Sequence, residues 1–287
     1  MEDRQNHSGM LYLCATPIGN LKDVTLRALE CMESADFIAV ESVERSKKLL
    51  THYSIKTPLL SFRESNREKQ GIEILNRVKN GAVIVLISDA GLPGISDPGF
   101  TLVERAASEG VPFTVLPGPS AGLTALLMSG FPPQRFVFWG FLSRKKKERK
   151  MELQSIAAED KTAVFYESPH RLLQTLEDMQ EALGDRQVAV CRELTKRFEE
   201  VRKGTAGDLH KGFKETSPRG EITLVVAPGP PKVNNLLQED DTKECLEELL
   251  SRGLSPAEAV RRASRLSSLT RSEVYHMMLK LQGKKKG

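Results

Sequence analysis

The sequence predicts an α/β fold in two halves, followed by a small helical appendage. Three observations carry this reading. Short apolar runs recur with helical patterns between them, the alternation that builds a mainly parallel sheet. The alternation restarts near Phe131–Arg135 and a second series follows. Beyond Ala227 the strand-like runs stop and only helical patterns remain. At 287 residues the chain is long for one small domain and comfortable for two with an extension. The expected division is an α/β domain over 1–132, a second α/β domain over 133–230 and a basic helical domain over 240–287.

The elements justify themselves in order. LYLCA (Leu11–Ala15) is the first strand, and a helix is expected over about Asp23–Glu33, where Val24, Leu26, Ala28, Leu29 and Met32 recur on one side. DFIAV (Asp36–Val40) is a strand, and Ile72, Ile74, Leu75 and Val78 mark a helix across Arg67–Lys79. AVIVLI (Ala82–Ile87) is pure strand, followed by a helix from Phe100 to Ser108 and the strand PFTVL (Pro112–Leu116). The second series opens with RFVFWGFL (Arg135–Leu142), a helix near Met151–Ala158 and the strand TAVFYE (Thr162–Glu167). Ser168 and Pro169 read as N-cap and first residue of a helix running to Leu183. QVAVC (Gln187–Cys191) and EITLVVA (Glu221–Ala227) are further strands. APGPPKVNN (Ala227–Asn235) reads as a linker, because its prolines and asparagines break both periodicities. After it, Ser255-Pro256 starts one helix and Thr270 with Glu273 forms a capping-box pattern for another, a pair resembling a helix-turn-helix.

Composition narrows the function classes. Hydrophobic residues are 39% and charged residues 28%, ordinary for a globular protein. No apolar run approaches the roughly 18 residues that cross a bilayer, and MEDRQNHSGM lacks a signal-peptide core, so a cytoplasmic protein without a membrane partner is expected. Cys14, Cys31, Cys191 and Cys245 are scattered, and His7, His52, His170, His210 and His276 show no ligand spacing, so neither a disulfide framework nor a metal is expected. Cys14 and Cys191 read as small core residues. Charge is uneven. From Leu250 to the end nine Lys or Arg face two acids, in a chain of net charge +4, and RKKKERK (Arg144–Lys150) is a second basic cluster. Concentrated positive charge points to an anionic partner, nucleic acid first, or to solvated surface.

Chemistry concentrates in three connections after predicted strands: ATPIGN (Ala15–Asn20), SDAGLPGISDPG (Ser88–Gly99) and LPGPSAG (Leu116–Gly122). In open α/β sheets ligands bind beyond the carboxyl ends of the strands, and Gly and Pro there let backbone approach a ligand. Neither a dinucleotide fingerprint nor a Walker A sequence is present. The residues alone therefore give an α/β enzyme with an atypical small-ligand cleft.

Five ordered stretches carry a resemblance: TPIGNLKDVTLRAL, SDAGLPGISDPG, PGPSAGLTAL, FYESPHR and RELTKRFEE. In that order and spacing they resemble the bacterial small-subunit ribosomal RNA methyltransferase I family, within the tetrapyrrole-methylase superfamily, over about Leu11–Val226. The resemblance implies a two-domain tetrapyrrole-methylase-like fold, S-adenosylmethionine as cofactor, 2′-O-methylation of a decoding-centre cytidine in 16S rRNA of the 30S subunit, and a homodimer. It implies cofactor contacts from Pro17, from Gly91, Leu92, Pro93 and Ile95, from Ser120 and Ala121, and from Tyr166 and Glu167. Asp89 or Asp97 offers a carboxylate to the ammonium or ribose, although Ser96-Asp97-Pro98 is equally a helix start. A general base helps remove a hydroxyl proton. Glu41, Glu193 and Lys196 are the main candidates for it, with Glu64 and Glu167 beside them, and Lys196 needs a lowered pKa for the role. Arg45, Arg63, Arg171 and Arg192 are the cations placed to meet substrate.

Two stretches depart from the family. Its usual A-E-D-T-R-H-S reads Val40-Glu41-Ser42-Val43-Glu44-Arg45-Ser46 here, and its H-E-H-N reads Arg63-Glu64-Ser65-Asn66. Glu44 reverses a charge on the substrate side, which opposes a phosphate contact unless Arg45 and Arg63 restore it. Two other readings stay open. One is a tetrapyrrole C-methyltransferase of the precorrin or uroporphyrinogen type. The other is a catalytically altered RNA-binding paralogue.

Overall fold

The computed structural model describes residues 9–216, 218–229 and 238–283. They fall into two compact units, Met1–Gly229 and Pro230–Gly287. Most of the segment read as a linker, the polar start over 1–8 and the basic end over 284–287 lie outside the described residues.

The first sheet of the larger unit holds β1 (Met10–Cys14), β2 (Phe37–Val40), β3 (Leu59–Ser61), β4 (Val83–Ile87) and β5 (Phe113–Leu116). Its order is β3-β2-β4-β1-β5 and every pairing is parallel. The strands are short apolar runs because both faces are covered. Helices α1 (Leu26–Ser34) and α2 (Val43–His52) cover one face through Met32, Leu49 and Leu50. Helices α3 (Arg67–Lys79) and α4 (Gly99–Ser108) cover the other through Ile74, Leu75 and Leu102. β1 and β4 are neighbours, yet the chain leaves β1 toward β2 and leaves β4 toward β5, in opposite directions across the sheet. That makes the gap above β1 and β4 the topological switch point, where such sheets open a crevice.

The second sheet orders β6 (Phe136–Phe141), β7 (Thr162–Glu167), β8 (Gln187–Arg192), β9 (Glu200–Thr205) and β10 (Ile222–Val226) as β6-β7-β10-β8-β9. Only β6–β7 is parallel, and the other three pairings are antiparallel. The expectation of a mainly parallel sheet therefore fails for this half, because β8 turns directly into β9 without a crossover helix. Helix α5 (Ala121–Ser129) packs on one face of this sheet through Ala125 and Leu126. Helices α6 (Lys146–Ala157), α7 (Leu172–Leu183) and α8 (Ala206–Thr216) pack on the other. Cys14 and Cys191 are buried core residues, as expected, and burial pushes both thiols up to about 12.

Two local expectations need correction. α7 begins at Leu172, not at Pro169. Ser168–Arg171 is a separate turn, closed by the Arg171 and Leu172 amides donating to the Ser168 carbonyl at 3.1 Å each. The basic cluster Arg144–Lys150 is not all solvated. Arg149 is 2% exposed and pairs with the equally buried Asp178 at 2.6 Å, because α6 starts at Lys146 and turns Arg149 toward α7.

The smaller unit is three mutually packed helices, α9 (Glu239–Ser251), α10 (Pro256–Leu266) and α11 (Arg271–Gly283), around Leu246, Val260, Ala263, Val274 and Met278. The two starts read from sequence are in place. Ser255 accepts from the Glu258 amide at 3.4 Å, and the Thr270 amide and hydroxyl donate to Glu273 Oε2 at 2.6 and 2.7 Å.

Candidate active site at the switch point

The floor of the site is made of backbone. The loops leaving β1 and β4 are clasped by two hydrogen bonds, Thr16 N to Gly91 O at 2.9 Å and Gly91 N to Thr16 O at 3.0 Å. Gly91 sits at φ +80°, a left-handed conformation that disfavours any side chain. The Thr16 hydroxyl donates to Ser88 O at 3.1 Å and the Ser88 hydroxyl to Gly91 O at 2.8 Å. Asp97 Oδ1 accepts from the Gly94 and Gly99 amides at 2.8 Å each, which closes the loop and opens α4. The N-cap of α4 is Pro98, without a side-chain cap, so Asp97 serves the helix start only by holding its first amide, that of Gly99.

Above this floor lies a cavity of about 560 Å³, bounded by both sheets. It brings together Gly91, Leu92, Ile95 and Asp97 from the β4 loop, Ser120 and Ala121 from the start of α5, and Tyr166 and Glu167 from the end of β7. Glu41 and Arg45 line it from the end of β2 and from α2. Pro17 and Lys196 line an adjoining cavity of about 210 Å³ instead. Pro93 is buried within the loop and lines neither, and Arg63, Arg171, Arg192 and Glu193 also line neither. The sequence reading missed Phe141 and Leu194. Both are apolar, Phe141 at the end of β6 and Leu194 in the turn after β8, and Phe141 joins Phe138 in an aromatic wall around Tyr166, with ring centroids 5.6 and 5.1 Å from it. The 55% exposure of a phenylalanine at a strand end is the signal the sequence cannot carry.

The cavity is acidic on the first-sheet side. Burial, then the nearby Asp89 and Asp97 carboxylates, push Glu41 above the ordinary carboxylate range. Burial also raises Asp97, against its two amide hydrogen bonds. Among the described residues the Glu41 carboxylate has no hydrogen-bond or ion-pair partner, while its backbone carbonyl accepts from Arg63 Nε at 3.1 Å. Asp89 is better compensated, by the Ser42 amide at 3.2 Å and Arg45 Nη1 at 3.0 Å. Burial raises the Tyr166 phenol.

On the second-sheet side the charged candidates are committed to the fold. Both Glu167 oxygens are bonded, Oε1 to the Ser168 amide at 2.7 Å and Oε2 to the Thr175 hydroxyl at 2.6 Å. Arg171 holds the Leu142 and Ser143 carbonyls at 2.9 and 3.0 Å, so its guanidinium ties β6 to α7 and is not free for substrate. Arg192 is likewise engaged by Glu200 at 2.9 Å and the Arg219 carbonyl at 3.0 Å. Glu193 Oε1 accepts from Lys196 Nζ at 2.9 Å and from the Glu221 amide at 3.0 Å. Burial alone would raise Glu193, but these bonds bring it below its ordinary value, the wrong direction for a base. Burial opposes the charge on Lys196 too, yet its bonds to Glu193 and Glu221 raise its pKa overall. Lys196 is held as a cation, which removes the lowered pKa its role as a base required. Glu64 is an exposed partner of Arg67.

The departures at residues 42–44 have a local explanation. Ser42 caps α2, its hydroxyl accepting from the Arg45 amide at 3.3 Å. Glu44 lies in the first turn, where the helix dipole favours an acid. Arg63–Ser65 are exposed on the turn before α3. Among the described residues no group of three potential metal ligands occurs.

Comparison with known proteins agrees with this architecture. A family model described as Tetrapyrrole (Corrin/Porphyrin) Methylases matches residues 10–210. A Bacillus subtilis chain named ribosomal RNA small subunit methyltransferase I is 44% identical over 274 residues, 93% of each chain. A Synechocystis chain of the same name is 42% identical over 275 residues, 96% of this chain and 99% of that one. Among solved structures, a cobalt precorrin-4 methyltransferase aligns with a TM-score of 0.61 over 78% of this chain and 97% of that one, at 17% identity, a likeness of fold alone. The chain belongs to the tetrapyrrole methylases, and within them to the ribosomal RNA small subunit methyltransferase I family, and it is a methyltransferase.

Proposed function

We propose that this methyltransferase uses S-adenosylmethionine to methylate 16S rRNA, at the ribose 2′-hydroxyl of the decoding-centre cytidine that the family is known for, C1402. The observation that carries the reading is the match along 93% of each chain to a relative named for small-subunit rRNA. The cavity supports the cofactor. Its size suits a ligand of that class, within the roughly 300–1,000 Å³ of small-molecule sites. Its backbone floor offers amides and carbonyls to an adenosine and an amino-acid end, and Leu92, Ile95 and Tyr166 offer apolar and aromatic surface. Glu41, Asp89 and Asp97 are complementary to a ligand bearing a sulfonium and an ammonium.

The bound cofactor supplies a methyl group on sulfonium sulfur. The chain's own part is alignment of the acceptor oxygen and exclusion of water. Glu41 takes the hydroxyl proton in this proposal. It lines the cavity, its carboxylate is uncommitted, and its raised pKa brings it closer to neutral pH, where a general base works best. The protein acts in the cytoplasm, and no described helix is long and apolar enough to cross a membrane. It acts as a homodimer. The exposed Leu123 and Leu127, one turn apart on the otherwise buried α5, are the apolar surface such a dimer covers.

The test is methyl transfer to 30S subunits lacking the modification, with primer-extension detection of the 2′-O-methyl group, run beside transfer to uroporphyrinogen III. Product on the macrocycle and none on the subunit selects the tetrapyrrole reading. Cofactor binding without product on either selects the altered paralogue.

A further inference from the structure

The 210 Å³ cavity beside the cofactor cavity differs from it in charge. The two share Ile18, Arg45, Ser88, Asp89, Ala90 and Glu221, so they form one continuous cleft. The larger cavity is acidic, with Glu41, Asp97 and Glu167 on its own share of the wall. The smaller one adds only cations, Lys48 and Lys196. Arg45 and Lys48 lie three residues apart on α2 and face the same way. Lys196 arrives from the other half of the unit. Its loop is held against the β1 loop by the Asn20 amide donating to Thr195 Oγ1 at 3.0 Å. That approach needs Gly19, where a Cβ would come within 2.6 Å of Lys196 Cγ and 2.7 Å of the Leu194 carbonyl. Arg45 is steered by Asp89 at 3.0 Å and Lys196 by Glu193 at 2.9 Å and Glu221 at 3.1 Å, whereas Lys48 is exposed and has no acidic partner among the described residues.

We propose that Arg45, Lys48 and Lys196 form a phosphodiester subsite that seats the phosphate next to the methylated ribose. The inference rests on the reading above of an RNA ribose as acceptor and names what holds it. A 2′-oxygen and the 3′-phosphate of the same nucleotide sit on adjacent ribose carbons. An oxygen presented to the acidic cavity therefore carries its phosphate into the neighbouring space, which here is the basic one. The division of charge also sorts ligands: a cationic cofactor is favoured on one side of Ser88–Ala90 and an anionic backbone on the other. Arg45 thereby takes over the positive charge that Glu44 removes from the first turn of α2.

Lys48 is the test position, because its side chain makes no hydrogen bond or ion pair among the described residues. The expected result for Lys48→Glu is a KM for 30S subunits raised about five- to tenfold and a salt dependence of RNA affinity lower by about one charge, as for loss of one phosphate contact. The affinity for S-adenosylmethionine and the melting temperature stay within error, and Lys48→Arg restores the KM. Binding of a single-stranded RNA of about ten nucleotides, followed by fluorescence anisotropy, separates this inference from the reading it rests on. If the unaltered protein methylates no 30S subunit but binds the RNA in a Lys48-dependent way, the subsite stands and the acceptor is a different RNA. An unchanged KM and unchanged RNA affinity in Lys48→Glu overturn the subsite. So does an effect that Lys48→Arg fails to rescue, or a loss confined to the cofactor.

Discussion

Glu41 and Glu167 occupy equivalent places, each at the carboxyl end of a strand in its own sheet and each lining the same cavity. Their surroundings are opposite. Glu167 has both oxygens bonded within 2.7 Å and Arg171 at 3.5 Å. Glu41 has no such partner among the described residues and faces two further carboxylates. The same contrast runs through the two halves. The second sheet neutralises its charges internally, in Arg149–Asp178 and Arg192–Glu200. The first gathers like charges at the switch point. Carboxylates gathered around one cavity favour a cationic ligand there. The second half is built as a wall and the first as a receptor.

The largest expected effect breaks the wall. Asp178→Ala strands the buried Arg149 guanidinium and lowers stability by about 3–5 kcal/mol, read as a drop in melting temperature. The double replacement Arg149→Met with Asp178→Leu recovers most of it. If Asp178→Ala melts like the unaltered protein, the pair is not structural. Next in size, Glu41→Gln lowers kcat by about a hundredfold or more while the melting temperature holds or rises, since a like charge has been removed. A kcat within a few-fold of normal takes the proton-transfer role away from Glu41.

The pH dependence sharpens the same contrast. The folded-state pKa values of Glu41 and Asp97 lie above their ordinary 4.5 and 3.8. In the window between ordinary and raised values the folded state binds more protons than the unfolded one. Their contribution to the stability of the ligand-free protein is therefore present at low pH and lost as pH rises through that window. Cofactor affinity runs the other way, improving as these acids ionise. Thermal melts with and without S-adenosylmethionine across the window test both signs, and parallel curves refute the acidic receptor. The smallest effect concerns the altered stretch itself. Ser42→Ala removes the cap of α2 and loses about 1 kcal/mol, whereas Ser42→Thr keeps it. A silent Ser42→Ala leaves the departure at this position without a structural role.

What was legible in the sequence follows from how the information is stored. Apolar runs such as Val83–Ile87 and Thr162–Glu167 announce their strands because burial on both faces forces the composition. α2 was not read, since VERSKKLLTH buries only Ser46, Leu49 and Leu50 and most of its surface is polar. β9 was missed because EVRKGT is an edge strand without an apolar alternation. The cofactor loops were readable because glycine and proline encode backbone shape locally. The fate of the arginines was not. Nothing in FYESPHR says that Arg171 holds the Leu142 and Ser143 carbonyls, and nothing in RELTKRFEE says that Arg192 meets the Arg219 carbonyl as well as Glu200 at the end of its own stretch. Long-range partners decide whether a cation is a tool or a brace.

The Thr16–Gly91 clasp fixes when the cavity is assembled. Two strand exits joined by a reciprocal pair of backbone hydrogen bonds cannot wait for a ligand to shape them. The floor is complete as soon as β1 and β4 are paired, so the ordering entropy there is lost in folding and not on association. A ligand entering the cavity therefore meets a floor already shaped.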